Sequence, residues 1–397
     1  TALGGRKLRA DFKERTTLIK IINFNEIKLF ASALGQHNMI TILRKGKYDV
    51  NVKTAITSRS GHATDNILEN VIYWRDEDTE YYSFGQAQLY EGIENYIRLS
   101  GVGNNENPLE TILNKMTVKA KKLGDICAVN IGMRTGADKL SESYINKYGI
   151  DLPKNTGIYI LTTEEMNDLN LSPYEKKMFV PWFKNSDISQ YHCRKENKLW
   201  LVDLSVPEHE DIDFADIPNI YKHIKRFKPV LENRRSNDNG LQTVIKRGLW
   251  WAFTMRQIDF SAPKIVAPQR SKKNTFGYNE VPWFASMDVY FITALPNSNI
   301  ELKYVLALLN SKLLFVWLYN KGKRKGDPLE LYQKPLSEVP IIFDEKVQDK
   351  IVGLADKLLK NQDDYSTKEM INQEVYALYN LNLDEVNIVE EYMKNFE

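Results

Sequence analysis

The chain has 397 residues, 43% hydrophobic and 27% charged, which allows two or three globular domains and excludes disorder, collagen and fibre. No apolar run reaches the ~18 residues of a membrane span; the longest, residues 304–319, is interrupted by Asn310, Ser311 and Lys312. Two cysteines, Cys127 and Cys193, exclude a disulfide scaffold and a four-cysteine zinc site, and the net charge of +2 hides a basic middle beside an acidic tail.

Residues 1–15 predict an exposed helix; their polar, basic character is not that of a signal peptide. Two β-rich runs follow, 18–24 and 38–43, with a helical stretch at 25–36 between them. Strand, short helix, strand is how an α/β sheet closes, so residues 1–60 are expected to be the edge of a doubly wound domain without its beginning. Residues 46–68 look like a polar connection. Residues 73–84 predict a hairpin turning at Asp76, Glu77 and Asp78, and residues 86–98 a helix. The Gly- and Asn-rich stretch 101–108 ends this connecting segment as a linker. A helix over 109–123 opens a mixed α/β region. Its expected strands are 126–131, 158–161, 199–203, 264–267 and 289–293, and its expected helices 163–169, 220–233 and 302–318. The end, 345–359 and 368–396, is helical and amphipathic.

Between residues 221 and 275 we count thirteen Lys and Arg against three Asp and Glu, net +10, interleaved with Phe227, Trp250, Trp251 and Phe253. Residues 341–397 carry six against thirteen, net −7. A basic face with aromatics suits a polyanion, and equally a solvated face over core tryptophans.

No glycine-rich nucleotide-binding turn, no Asn-Pro-Pro-Tyr box and no Pro-Pro pair occurs, so no complete methyl-transfer site is expected. Glu-x-Lys recurs with an upstream Asp, as at Glu26, Glu196 and Glu301, a pattern too common to mark a nuclease; the rival reading would use Asp187 with Glu196 and Lys198. The five histidines show no ligand spacing. Residues 132–138 (GMRTGAD) could approach a phosphate closely, but on spacing alone an ordinary turn outweighs that reading. Lys321, Lys323, Arg324 and Lys325 would repel one another unless an anion is near, which fits a phosphate-gripping loop or a solvated helix end.

Taken together, several segments resemble one family. Residues 18–43 resemble the end of the catalytic domain of amino-methylating DNA adenine methyltransferases, and residues 1–9 the helix before it. Residues 124–138, 182–191 (WFKNSDISQY), 264–269 (KIVAPQ) and 304–340 resemble a TaqI-like specificity domain, and 372–391 its helical tail. The resemblance implies an α/β fold in four parts. Residues 1–60 would be the remnant edge of the methyltransferase sheet, 61–108 a connection, 109–340 a mixed α/β target-recognition domain and 341–397 a helical tail. It implies sequence-specific recognition of double-stranded DNA, serving adenine-N6 methylation in bacterial restriction-modification and phage defence. S-adenosylmethionine is the cofactor of the whole enzyme, with no cofactor, metal or catalytic residue expected in this chain. The partners implied are duplex DNA and the missing N-terminal methyltransferase region, to which many relatives fuse a nuclease. A cytoplasmic location and no membrane contact are expected.

On this reading phosphates are held by Lys139, Lys225, Arg226, Arg234, Arg235, Lys246, Arg247, Lys272, Lys273 and the cations of 321–325, with Thr135 beside them. Bases are read by Arg134, Gln269 and Arg270, since Arg suits guanine and Gln adenine. Arg270→Ala should then relax sequence preference, and Lys323→Ala weaken all sequences alike. The alternatives are a metal-dependent nuclease, a protein-interaction module using the acidic tail, and a single-strand or RNA binder using exposed aromatics.

Overall fold

The computed structural model describes residues 5–30, 37–92, 95–100, 108–234, 239–254 and 258–396. They form two compact units, one of residues up to Lys115 with Arg324–Leu329, the other of Met116–Lys323 with residues from Glu330 onward.

In the first unit the helix Arg6–Arg15 leads into a four-stranded sheet ordered Met39–Lys45, Thr16–Asn23, Val52–Thr57, Thr79–Phe84. Thr16–Asn23 pairs antiparallel with Met39–Lys45 and parallel with Val52–Thr57, which is antiparallel to Thr79–Phe84. Successive side chains of a strand face opposite ways. Ile21 therefore packs with Leu18, Val52, Phe84 and Leu89, whereas Ile22 packs with Phe24, Ile27, Ala55 and Val71.

Several expectations are corrected here. The stretch 46–68 is no connection, because it contains the inner strand Val52–Thr57; its polar residues (Lys53, Thr54, Thr57) disguised it. The helical reading of 25–36 fails at Glu26–Lys28, a strand paired in parallel with Ser60–His62, and its remainder at 31–36 lies outside the described residues. Residues 73–84 yield one strand rather than a hairpin. It is preceded by the helix Asp65–Ile72 and a turn that buried Asp76 fastens, accepting from Arg59 at 2.7 Å and Thr79 at 2.5 Å. Residues 86–98 are not a helix: Gln86 donates to the carbonyls of Leu18 and Val50, and Tyr90–Glu91 pairs with Tyr96–Ile97. The linker at 101–107 lies outside the described residues.

The second unit holds two four-stranded sheets. The first is antiparallel in the order Cys127–Ile131, Val289–Ala294, Lys264–Pro268, Gly277–Asn279. The second runs Ile160–Thr162, Leu199–Val202, Phe179–Phe183, Phe284–Ala285, the last pair parallel. Each of the five predicted strands of this region has its counterpart. Phe179–Phe183, Gly277–Asn279 and Phe284–Ala285 are additions, short and interrupted by Pro and Gly. The expected helix 220–233 is two, Pro218–Lys225 and Lys228–Glu232.

The expected helix 302–318 is also two, Leu302–Asn310 and Lys312–Lys321, bent by 70°. Ser311 takes an extended conformation and caps the second helix by accepting from Leu314 N. Among the described residues no single helix is long and apolar enough to cross a membrane. The tail helices Glu345–Lys360, Tyr365–Leu378 and Leu383–Met393 follow.

Candidate nucleic-acid interface

The predicted site residues separate by burial. Thr135 is buried, and its hydroxyl bonds Asp138. A Cβ on Gly132 would stand 2.2 Å from Ser286 O and 2.5 Å from Ala285 O, so the glycine serves close backbone packing within the protein. Arg134 Nε lies 2.9 Å from Met287 Sδ, and Lys139 forms a backbone bridge with Gly157. The loop 132–138 is thus tied inward, and Thr135 is 1% exposed rather than presented at the surface.

Arg234 is corrected most firmly. Its side chain is buried and donates to the carbonyls of Leu231 (2.9 Å), Thr135 (2.6 Å), Trp250 (2.8 Å) and Ala252 (2.8 Å). It holds a core together and reaches no phosphate. Arg247 is ion-paired with Glu210. Lys225 and Arg226 are exposed beside the rings of Tyr221 and Phe227, and Lys246 is exposed. Arg235 lies outside the described residues. Most aromatics of the basic segment are core: Phe227, Trp251 and Phe253 are buried, as are Phe276 and Trp283 beyond it, while Tyr221 and Trp250 are half-buried. The buried rings offer no stacking platform for single strands.

What remains is concentrated on the loop after the strand Lys264–Pro268, and that loop is fastened along its length. Gln269 N donates to Asp288 O at 2.7 Å, and its carbonyl accepts from Leu331 N at 2.9 Å. Ser271 and Thr275 share a hydroxyl bond of 2.8 Å. Buried Asn274 donates to the carbonyls of Leu309 (2.7 Å) and Ser311 (2.9 Å), the two sides of the helix break. Asn310, beside it, accepts from Phe276 N and donates to Phe276 O. The 70° bend therefore frees the carbonyls that grip this loop. Lys272 and Lys273 are exposed on it, and Arg270 half-exposed.

Arg270 and Lys323 share Glu330, whose side chain is 4% exposed. Burial works against its charge, but the bonds from Lys323, Tyr332 and Arg270 hold Glu330 below the usual glutamate range. Arg324 is taken by Glu26, within the first unit, at 2.6 Å. The anions that relieve the repulsion within 321–325 thus include the protein's own carboxylates; Lys325 stays exposed. A polar groove of about 580 Å³ adjoins the loop, lined by Gln190, Arg270, Ser271, Lys273, Gln362 and Lys368 among others. Sequence reasoning missed Gln190, Gln362 and Lys368, which only the fold brings to the loop. A groove with fixed cations, amides and hydroxyls can take phosphates and base edges.

The nuclease constellation does not assemble. Asp187 pairs with Arg194 at 3.2 Å and accepts from Lys184 N, while Glu196 and Lys198 are exposed. Among the described residues no group of three or more His, Cys, Asp or Glu could hold a metal ion.

Residues 180–341 match the family model of the TaqI-like C-terminal specificity domain, a segment that contains the 269–275 loop and Glu330. The chain is 26% identical over 398 residues to the type II methyltransferase M.HindII of Haemophilus influenzae, covering 93% of this chain and 66% of that protein. It is 28% identical over 241 residues to M.HincII of Haemophilus influenzae, 56% of this chain and 44% of the relative. Among solved structures it is similar in fold to the type IIL restriction-modification enzyme MmeI, determined in complex with DNA, at a TM-score of 0.52 and 15% identity. That match covers 96% of this chain and 46% of the other. The chain spans just under two thirds of M.HindII and less than half of M.HincII and MmeI. Residues 180–341 are thus similar to a TaqI-like specificity domain, and the chain is similar to type II methyltransferases.

Proposed function

We propose that this chain is the duplex-DNA recognition part of a site-specific adenine-N6 methyltransferase of a restriction-modification system, acting in the bacterial cytoplasm. One observation carries the reading. Within the matched specificity segment, a loop locked by Asn274, Ser271 and the Arg270–Glu330 pair presents Arg270 and Lys273 to a polar groove, with Lys272 exposed beside them. Readout needs donors held in place, and a loop fastened at its base and midpoint holds them.

The whole enzyme's cofactor would be S-adenosylmethionine. Among the described residues, no strand of the first sheet runs through a glycine-rich turn into a helix N-terminus. The outer strand Met39–Lys45 is exposed along its whole length, with Met39, Ile40, Ile42 and Leu43 all in solvent. In our reading this apolar edge is where the rest of the catalytic sheet, the N-terminal methyltransferase region, continues. The compact unit that runs to Lys115, with Thr79–Phe84 inside its sheet, would then be the end of the catalytic domain, and the unit from Met116 onward would hold the recognition domain and its tail.

The test is a selection of the purified chain against a random duplex library at two salt concentrations. An enriched short motif with steep salt dependence supports the reading. Binding without a motif would transfer sequence reading to another part of the enzyme. No binding at either salt would refute DNA recognition by this chain.

A further inference from the structure

Two cations of opposite expected duty, Arg270 for bases and Lys323 for phosphates, converge on one buried carboxylate. Glu330 Oε1 accepts from Arg270 Nε and lies against one of its Nη nitrogens, both at 3.1 Å. Glu330 Oε2 meets Lys323 Nζ at 2.7 Å. The Tyr332 hydroxyl donates to Glu330 Oε1 at 2.8 Å and accepts from the same Arg270 Nη at 3.1 Å. Lys323 also stands over the Tyr332 ring, 4.4 Å from its centroid. Glu330 N donates to Lys323 O at 2.7 Å, so the backbone fixes the carboxylate and the ammonium together.

A guanidinium carries five N–H donors in one plane. Glu330 and Tyr332 occupy its Nε and one Nη, leaving the end led by the other Nη for acceptors outside the chain. In the major groove guanine offers two adjacent acceptors, O6 and N7, that such a fixed end can meet. An unheld arginine at the same place would be drawn to the nearest phosphates, which carry no sequence information. We propose that Glu330 is a positioning residue for sequence recognition: it aims Arg270 at a guanine and keeps both Arg270 and Lys323 off the DNA backbone. This inference rests on the DNA-recognition reading above. It goes beyond that reading by making a buried carboxylate, which touches no base, a determinant of specificity.

The experiment compares the full chain with Glu330→Gln, Glu330→Asp, Arg270→Ala and the Arg270→Ala/Glu330→Gln double variant. Each is run through the duplex selection, then titrated at several salt concentrations against the selected site and an unrelated duplex, with melting temperatures alongside. Arg270→Ala is expected to relax one guanine position. Glu330→Gln should relax that same position, losing roughly tenfold to a hundredfold of discrimination. Affinity for unrelated duplex should hold or rise, with a salt slope steeper by about one to two units as the freed cations reach phosphates. In the Arg270→Ala background, Glu330→Gln should change discrimination no further. Glu330→Asp keeps the charge that the fold needs but withdraws the carboxylate by one methylene. It should melt close to the wild type and still relax the guanine, which covers a Gln variant that fails to fold. The proposal falls if the folded variants keep full guanine discrimination, lose affinity for all sequences equally, or relax a position that Arg270→Ala leaves intact. Failure of the underlying reading is visible separately, in a wild-type chain that selects no motif, and it removes this inference as well.

Discussion

Arg234→Met separates a structural arginine from a DNA-contacting one. Composition places Arg234 in the most basic stretch of the chain, yet its guanidinium is buried and donates to four main-chain carbonyls at 2.6–2.9 Å. These carbonyls come from the segment before Arg234, the 132–138 loop and residues 250–252, so one side chain ties three stretches. A buried acceptor that loses its donor costs about 1–3 kcal/mol. A carbonyl keeps a second lone pair and some relaxation is available, so the sum is smaller than four full penalties. About 3–5 kcal/mol is the expected loss, the range for breaking a buried charged network. For a unit of this size that lowers the melting temperature by about 10 °C. Thermal unfolding followed by circular dichroism measures it, with duplex affinity determined well below the transition. There the variant should bind the selected site as the wild type does. Lys272→Ala, exposed on the readout loop, should do the reverse, leaving the melting temperature alone and reducing the salt slope by about one unit. Near-wild-type melting with selective loss of DNA affinity in Arg234→Met would refute the core assignment.

Gly132→Ala should prevent correct folding or cost more than about 3 kcal/mol, because its Cβ meets backbone oxygens at 2.2 and 2.5 Å; a soluble variant melting like the wild type would contradict the packing. Lys323→Ala should lower the salt slope by clearly less than one unit, since Glu330 already neutralises that ammonium, and a full unit would show Lys323 free to reach phosphate. Burial holds Lys264, which donates to Ala262 O and Val281 O, down to about 8. Between that value and about 10.4 the unfolded chain binds the extra proton, so this lysine's contribution to stability rises with pH by up to ~1.4 kcal/mol per unit. The urea midpoint of the wild type should gain on that of Lys264→Met across this window, and parallel curves would show that Lys264 does not titrate there. Burial also pushes Cys127 up to about 12 and Cys193 up to about 11, so neither should react with iodoacetamide at neutral pH until the chain unfolds.

The strands of the second unit were legible because they are dense in β-branched and aromatic residues and are buried on both faces, as at Val289–Ala294. Val52–Thr57 was not, since exposed Lys53 and the buried but polar Thr54 and Thr57 dilute the apolar signal. Residues 86–98 satisfy helical spacing locally, but the Gln86 amide fixes their backbone to Leu18 and Val50, partners far away in sequence. The helix 302–318 has no breaker stronger than Asn310 and Ser311, and its bend depends on Asn274, thirty-five residues upstream of Leu309, taking the freed carbonyls. In the candidate site, residue type singled out Arg270, Lys272 and Lys273, which the fold leaves exposed. It could not separate them from Arg234, because depth is a property of the fold and charge is a property of the chain. Nor could it find Glu330, whose part arises only from the two cations that meet it.

The same distinction settles how to read the acidic tail. An excess of seven negative charges over residues 341–397 invites a contact surface for another protein. Part of that excess is directed inward. Glu369 and Glu390 both hold Lys312 at 2.8 Å, at the start of the second apolar helix; burial would lower that lysine, but the two carboxylates push it up to about 12. The Asn372 side chain accepts from Lys312 N at 3.0 Å, so the tail fastens the far side of the break whose near side grips Asn274. Gln362 bonds Ser189 at 3.0 Å across the groove, and Lys368 lines it. The tail therefore supports the element that carries the exposed cations and contributes one more. Its carboxylates help hold the helix break under the 269–275 loop, and on the proposed reading a loop that discriminates between bases requires that rigidity more than it requires additional positive charge.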